Sequence, residues 1–342
     1  MGITIGAYID GGGHVSGHMG DVARCDGIDR LLVTGSEQAR EIATEMPKAE
    51  FVEDWDALLD RPDVPAVIVL TNNRAAGQLN LQAAEAGTWV YGEKPGARTA
   101  DEMQAIVEAC ERTGAHFTPC YARRTFPATR EIRRLLAEGA LGELWSFQAN
   151  WITSQAALRG VDWWGFSDEI AGGGILYWLG CHWIDLIRFV TGERIVAVNA
   201  MCRTADERIS VEDVACLTVR LEGGAIGTIR CGYVLTPFGE YEDYQLMTSW
   251  EGSEGWLSHF PHGPVTLRMR SRAEGLEDPA ETTEVAIQRV RTGGYAPELL
   301  ADFIDAVEQG REPLVCERDA LYVLQVAEAA YEASHTGREQ SI

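Results

Sequence analysis

The strongest constraint in this chain is a change of rhythm at Tyr121. Before it, short apolar runs at residues 3–9, 30–34, 50–52, 66–70, 89–91 and 116–119 alternate with amphipathic stretches such as 75–86 and 101–112. Strands separated by helices predict a doubly wound parallel sheet, the α/β arrangement. Beyond Tyr121, strand-like runs follow one another at 143–153, 195–203, 213–221, 225–234, 244–250, 265–270 and 283–289, with Glu222-Gly223-Gly224 as a hairpin turn. That succession predicts a large, open, mostly antiparallel sheet. Helical patterns at 125–138, 175–191, 297–309 and 318–334 are expected to cover it as an α+β layer. The division expected is a dinucleotide-binding domain over 1–121 and a substrate-binding domain over 122–342.

Composition narrows the partners. Acidic residues outnumber basic ones 52 to 29, a net charge of −23 in 342 residues, which repels nucleic acid and anionic membrane surfaces. A small, neutral substrate fits that balance. The eight cysteines form no C-x-x-C pair, so neither a zinc knuckle nor a disulfide framework is expected. The N-terminus shows no basic segment followed by an apolar core, and the most apolar stretch, 174–190, carries His182, Asp185 and Arg188. A soluble cytoplasmic protein without a membrane span is the expectation.

The first strand runs into Asp10-Gly11-Gly12-Gly13-His14-Val15-Ser16-Gly17-His18. A dinucleotide fold needs glycines here, so that the backbone can turn tightly and approach a pyrophosphate at a helix N-terminus. Gly11-x-Gly13 supplies two positions of that fingerprint; Ser16 holds the third, and Gly17 shifts it by one. Gly11, Gly12, Gly13, His14 and Val15 are therefore candidate cofactor contacts. His14 and His18 stand four apart, but no cysteine or carboxylate pattern accompanies them, so loop and helix-start roles are expected rather than metal ligation.

The second strand ends at Thr34-Gly35-Ser36 with Arg40 downstream, where NAD enzymes carry a carboxylate for the ribose. Ser36 and Arg40 suit the 2′-phosphate of NADP. Ser36 equally suits the N-cap of the following helix, and one residue can do both. Thr71 and Asn72, after the fourth strand, and Glu93 join the candidate nucleotide set.

Glu93-Lys94-Pro95 follows the fifth strand, at the carboxyl edge where open α/β sheets bind ligands. A lysine there can hold a hydroxyl or stabilise the alkoxide that develops as hydride leaves. Far downstream, Gly172-Gly173-Gly174 opens a helical run in which Trp178, His182 and Asp185 share the i, i+4, i+7 spacing of one helix face. Histidine titrates near neutral pH and suits proton transfer from an alcohol.

Taken together, these residues resemble the Gfo/Idh/MocA oxidoreductases, the family of glucose-fructose oxidoreductase and inositol dehydrogenase. The likeness also takes in Arg123-Arg124, Glu138 to Glu143, Glu212-Asp213, Gly252-Ser253-Glu254-Gly255 and the closing Asp302-Phe303 to Arg311-Glu312-Pro313. It implies an N-terminal Rossmann domain, a C-terminal α+β domain, NAD or NADP as cofactor, and sugars, polyols or their derivatives as substrates. It also implies a homodimer or homotetramer paired through the open sheet. By the resemblance Lys94 matches the catalytic lysine and His182 the histidine that contacts the reacting hydroxyl. Asp185 matches an aspartate read as structural, and Arg123, Trp164 and Trp178 fall in the substrate set. At 178 the family usually carries an aspartate; this chain has an indole. The Ser36 and Arg40 region looks like that of NADP-using relatives such as anhydrofructose reductases. Two other readings attach to the same residues: elimination or glycoside hydrolysis assisted by a retained cofactor, and a non-catalytic sensor of dinucleotide or sugar.

Overall fold

The computed structural model describes residues 2–237, 243–261, 267–273, 283–284 and 295–342. The chain falls into two compact units, one of Met1–Ala122, Glu169–Gly172 and Arg291–Leu324, the other of Arg123–Asp168, Gly173–Val290 and Gln325–Ile342.

The first unit is built on six strands: β1 (Ile3–Ile9), β2 (Ile28–Gly35), β3 (Ala49–Phe51), β4 (Ala66–Leu70), β5 (Trp89–Gly92) and β6 (Phe117–Pro119). They lie in the order β3-β2-β1-β4-β5-β6, all parallel, so the direction of winding switches between β1 and β4. Every side chain of β4 is buried, as expected for a strand covered on both faces. The connecting helices are α1 (Val15–Arg24), α2 (Glu37–Glu45), α3 (Trp55–Leu59), α4 (Asn73–Glu85) and α5 (Ala100–Thr113). Local chemistry sets several of their ends: Asp54, Asn72 and Thr99 cap α3, α4 and α5 with side-chain oxygens, and Gly114 closes α5 in the left-handed conformation.

The second unit contains α6 (Pro127–Ala137), β7 (Leu144–Thr153), α7 (Gln155–Leu158), the helix α9 (Cys181–Thr191) and strands β8 (Ile195–Arg203) to β15 (Gln340–Ser341). The short α8 (Asp168–Ala171) precedes the glycine run. Between them run β9 (Val214–Leu221), β10 (Ile226–Gly232), β11 (Tyr244–Gly252), β12 (Gly255–His259), β13 (Leu267–Ser271) and β14 (Thr283–Glu284). Among the described residues this sheet has nine strands, ordered β14-β13-β12-β11-β7-β10-β9-β8-β15, and only the β7–β10 pair is parallel. Of the two strands expected at 265–270 and 283–289, residues 265–266 and 285–289 lie outside the described residues. The apolar run Asp168–Thr191 is long enough to cross a membrane, yet 89% of its central window is buried inside the protein, as in a core helix.

One expectation is corrected. The helix α10 (Pro297–Gln309), assigned from sequence to the second sheet, packs on the first unit, where Phe303 lies 5.6 Å from the Tyr91 ring and 6.5 Å from that of Trp89. Its apolar face, with Leu299, Leu300 and Ile304, is fully used there. Asp21 of α1 secures its start, accepting hydrogen bonds from the backbone N–H groups of Tyr295 (3.1 Å) and Ala296 (2.6 Å). The segment after it reaches β6: the Val315 carbonyl accepts from Thr118, and Glu317 accepts from the Phe117 N–H at 3.2 Å. An amphipathic pattern states that a helix will bury one face; it does not say against which sheet.

Candidate active site

In the first unit, the turn after β1 is as tight as the glycine run suggests. Gly11 has φ +63°, and a β-carbon on Gly12 would stand 2.6 Å from the Thr71 nitrogen, so the loop passes directly against the end of β4. His14 follows at φ +57°, the only non-glycine residue in the left-handed region among the described residues, and Val15 begins α1. Gly17 has a packing role of its own. It admits Tyr295, whose β-carbon would be 2.8 Å from a β-carbon at position 17.

Glu93, 8% exposed, is the hub of this end of the sheet. Its Oε1 accepts from His18 Nε2 (2.8 Å) and from His14 Nδ1 (3.0 Å); an ionised carboxylate has no hydrogen to give, so both imidazole nitrogens are the donors. Tyr295 stacks on His14 at 4.5 Å and 17°, with its hydroxyl 3.0 Å from the same Nδ1. Burial alone would raise the Glu93 carboxyl, but the hydrogen bonds from the two histidines outweigh it and hold it well below its ordinary value. Two buried oxygens here, Glu93 Oε2 and Thr71 Oγ1, have no hydrogen-bond partner among the described residues. Buried polar atoms of that kind suit a polar ligand at the carboxyl ends of β4 and β5. With the glycine cradle they fit a dinucleotide.

Lys94 is 2% exposed, an unusual depth for an ammonium. The peptide bond to Pro95 is cis, and the turn beyond it is held by Asn80, which donates to the Gly96 carbonyl at 2.8 Å. The remaining nucleotide candidates have these places. The Asn72 side chain is engaged as the cap of α4, accepting from Ala75 N at 3.1 Å. Ser36 stands at the N-cap position of α2 without making the side-chain cap; its hydroxyl donates to the Ile9 carbonyl at 3.2 Å instead. Arg40 lies 3.9 Å over the Phe51 ring and donates to both oxygens of Glu53, at 2.9 and 3.1 Å.

In the second unit the glycine run is explained by Glu212. A β-carbon at Gly174 would fall 2.1 Å from the Glu212 carbonyl oxygen, and the Glu212 carboxylate accepts from Gly174 N, Leu176 N and the Tyr331 hydroxyl. The chain then makes a π-helical turn over Leu176–Gly180 before α9. That wide turn interrupts the α-helical repeat between Trp178 and His182. Each has its own partners. Trp178, 6% exposed, donates through Nε1 to Gln155 at 2.8 Å and meets Trp163 and Trp164 edge to face at 4.8 and 6.1 Å. His182 lies 5.6 Å from the Trp151 ring, and Arg123 covers that indole at 3.9 Å. Asp185 is locked in a buried fork with Arg124, at 3.0 Å to Nε and 2.5 Å to Nη2.

Sequence reasoning passed over His18 as a glutamate partner, and Tyr295, Gln155 and Arg159 altogether. His18 had a signal in its four-residue spacing from His14. Tyr295 had none, because it is 281 residues away from the ring it stacks on.

Family models match both parts of the chain: residues 6–121 fit the oxidoreductase family with an NAD-binding Rossmann fold, and 129–258 fit the GFO/IDH/MocA C-terminal domain. Levoglucosan dehydrogenase of Pseudarthrobacter phenanthrenivorans is 30% identical over 219 residues, 57% of this chain and 56% of that enzyme. The 1,5-anhydro-D-fructose reductase of Ensifer adhaerens is 29% identical over 325 residues, 91% of this chain and 90% of that one. Among solved structures, levoglucosan dehydrogenase in complex with NADH and levoglucosan superposes with a TM-score of 0.87 at 22% identity, covering 100% of this chain and 99% of the other. An oxidoreductase domain protein from Kribbella flavida gives 0.88 at 24%, with the same coverage. A glycine cradle at the switch point, a buried lysine on the neighbouring strand end and both matching domains lead to one conclusion: this chain belongs to the Gfo/Idh/MocA family of NAD(P)-dependent oxidoreductases.

Proposed function

We propose that the protein oxidises a secondary alcohol, or reduces the matching ketone, on a sugar, polyol or glycoside, with Lys94 and His182 serving the reacting oxygen. The observation that carries this reading is the buried Lys94 ammonium at the carboxyl edge of β5, on a strand end next to a glycine cradle. The names of the relatives, dehydrogenases and reductases of sugars and inositols, support the substrate class. Bound nicotinamide supplies or accepts the hydride at the carbinol carbon. In oxidation His182 takes the hydroxyl proton and Lys94 stabilises the alkoxide by charge; in reduction the roles reverse. Arg123 and Trp164 contribute cation and indole surface for a sugar ring.

For the cofactor, NADP is the preferred reading. No carboxylate stands at position 36 to repel a 2′-phosphate, and the Arg40 pair with Glu53 is exposed and so weak enough to exchange. The enzyme reading is completed by a cytoplasmic location and by a homodimer or homotetramer through the second sheet, supported by the exposure of Met201 (80%), Ile226 (59%) and Trp145 (56%).

Two measurements test this. Calorimetric titration of the full chain should show binding of NADPH and NADH, with Arg40→Ala weakening NADPH about tenfold and leaving NADH unchanged. Binding of neither nucleotide would sink the enzyme reading and favour a sugar sensor. Lys94→Ala should lower turnover about 10²-fold or more with cooperative unfolding retained, and near-normal turnover removes the lysine from the mechanism.

A further inference from the structure

Resting on the nucleotide-binding reading, we propose that His14, Glu93, His18 and Tyr295 form a clamp that holds the glycine loop ready for a dinucleotide, with His14 as the positioning residue and Glu93 as its hub.

The backbone makes the first case. A side chain at φ +57° carries backbone strain that glycine would avoid, and three glycines immediately precede His14. Something must hold the imidazole in that conformation. The two groups that do so come from far along the chain: the Glu93 carboxylate at 3.0 Å, 79 residues away, and the Tyr295 ring stacked at 4.5 Å, 281 residues away. The shape of the loop is therefore imposed by tertiary contacts and not by local preference.

The clamp is itself anchored. Tyr295 sits on Gly17, packs edge to face on His18 at 4.7 Å, and is fixed at its backbone nitrogen by Asp21. Glu93 is fixed from below by His18, which is 1% exposed and turns its ring edge to Tyr91 at 5.6 Å. The carboxylate thus commits Oε1 to both imidazoles while the buried Oε2 has no partner among the described residues. One oxygen fixes the loop. The other, with the equally unpartnered Thr71 Oγ1 on the next strand, is a buried acceptor at the place where the fold binds its nucleotide. The same carboxylate joins the residue before the catalytic lysine to the turn that receives the cofactor, so loop shape and Lys94 placement are set together.

The test uses the full chain, NADH and NADPH titrations, and thermal unfolding. If His14 is only a structural residue, His14→Gly relieves backbone strain and leaves affinity untouched. The clamp requires otherwise: cooperative unfolding retained, affinity weaker by about tenfold, the equivalent of one charge-assisted hydrogen bond. His14→Asn tolerates the left-handed region and can present an N–H near the Nδ1 position, so it should recover most of that loss. Glu93→Gln should weaken binding to a similar degree, and adding it to His14→Gly should cost little more, because both break the same link. Unchanged affinity in His14→Gly overturns the clamp, as does full additivity of the two substitutions. If the unsubstituted protein binds neither nucleotide, the functional reading itself has failed, and the clamp falls with it.

Discussion

The two units build their candidate sites by opposite means. At the carboxyl edge of the first sheet the work is done by hydrogen bonds of fixed direction: one carboxylate oxygen, two imidazoles, a capped helix and a glycine turn. In the second unit it is done by indole area: Trp163 and Trp164, tilted against each other, both meet Trp178 edge to face, Arg159 lies 4.2 Å over the first of them, and Arg123 covers Trp151. A polar cluster fails when one atom is lost, because the partner left behind is buried and unpaired. An aromatic cluster fails by volume and by the burial of charge. The position where the resemblance implies an aspartate shows the contrast in one residue, since the Trp178 indole is held by ring packing and by its hydrogen bond to Gln155.

Substitutions that exchange one regime for the other should have the largest effects. Trp178→Asp removes the central indole and buries a carboxylate among aromatic rings. Denaturant unfolding followed by tryptophan fluorescence should show a loss of about 5 kcal/mol, with no gain in turnover. A variant as stable as the parent, or a faster one, would mean that the position still works as a carboxylate site. Asp185→Asn probes the buried charge pair of the second unit. Leaving the Arg124 guanidinium buried beside a neutral amide should cost about 3 kcal/mol in the same assay, whereas a change below about 1 kcal/mol would show that water reaches the pair.

A smaller effect separates the units by pH. Burial, helped by the nearby Arg123 charge, lowers His259 from 6.5 to about 4. Its folded form therefore resists protonation while the unfolded chain takes up the proton, so stability falls as pH drops from 6.5 towards 4, by up to roughly 2 kcal/mol. Glu93 has the other signature: its depressed carboxyl contributes stability that is complete above its ordinary value of 4.5 and is lost only below it. Thermal midpoints recorded between pH 7 and 4 should slope downward, and His259→Asn should flatten that slope. An unchanged slope in the variant would assign the acid sensitivity elsewhere.

Legibility followed the same division. β1 and β4 stand at 3–9 and 66–70, where their apolar runs placed them, because a buried parallel strand is a local pattern. Lys94 was visible through its position after β5 and its proline. The partners of Glu93 were half visible, His14 and His18 by spacing and Tyr295 not at all. The π turn at Leu176–Gly180 was hidden because hydrophobic periodicity assumes the α-helical repeat it interrupts. Ser36 and Arg40 were singled out for charge and hydroxyl chemistry, but their present partners, the Ile9 carbonyl and Glu53, depend on which strand ends adjoin. Residue type announces what a side chain can do; topology decides with whom.

The placement of α10 bears on how the molecule is made. A ribosome releases all six strands of the first sheet nearly two hundred residues before Phe303, the side chain that covers Tyr91 and Trp89. Until then the Phe303 contacts with those rings are missing, and the Asp21 carboxylate lacks the N–H groups of Tyr295 and Ala296. The nucleotide-binding unit therefore stays incomplete long after its sheet has been translated, and a fragment ending near residue 122 is an incomplete fold rather than a separable module.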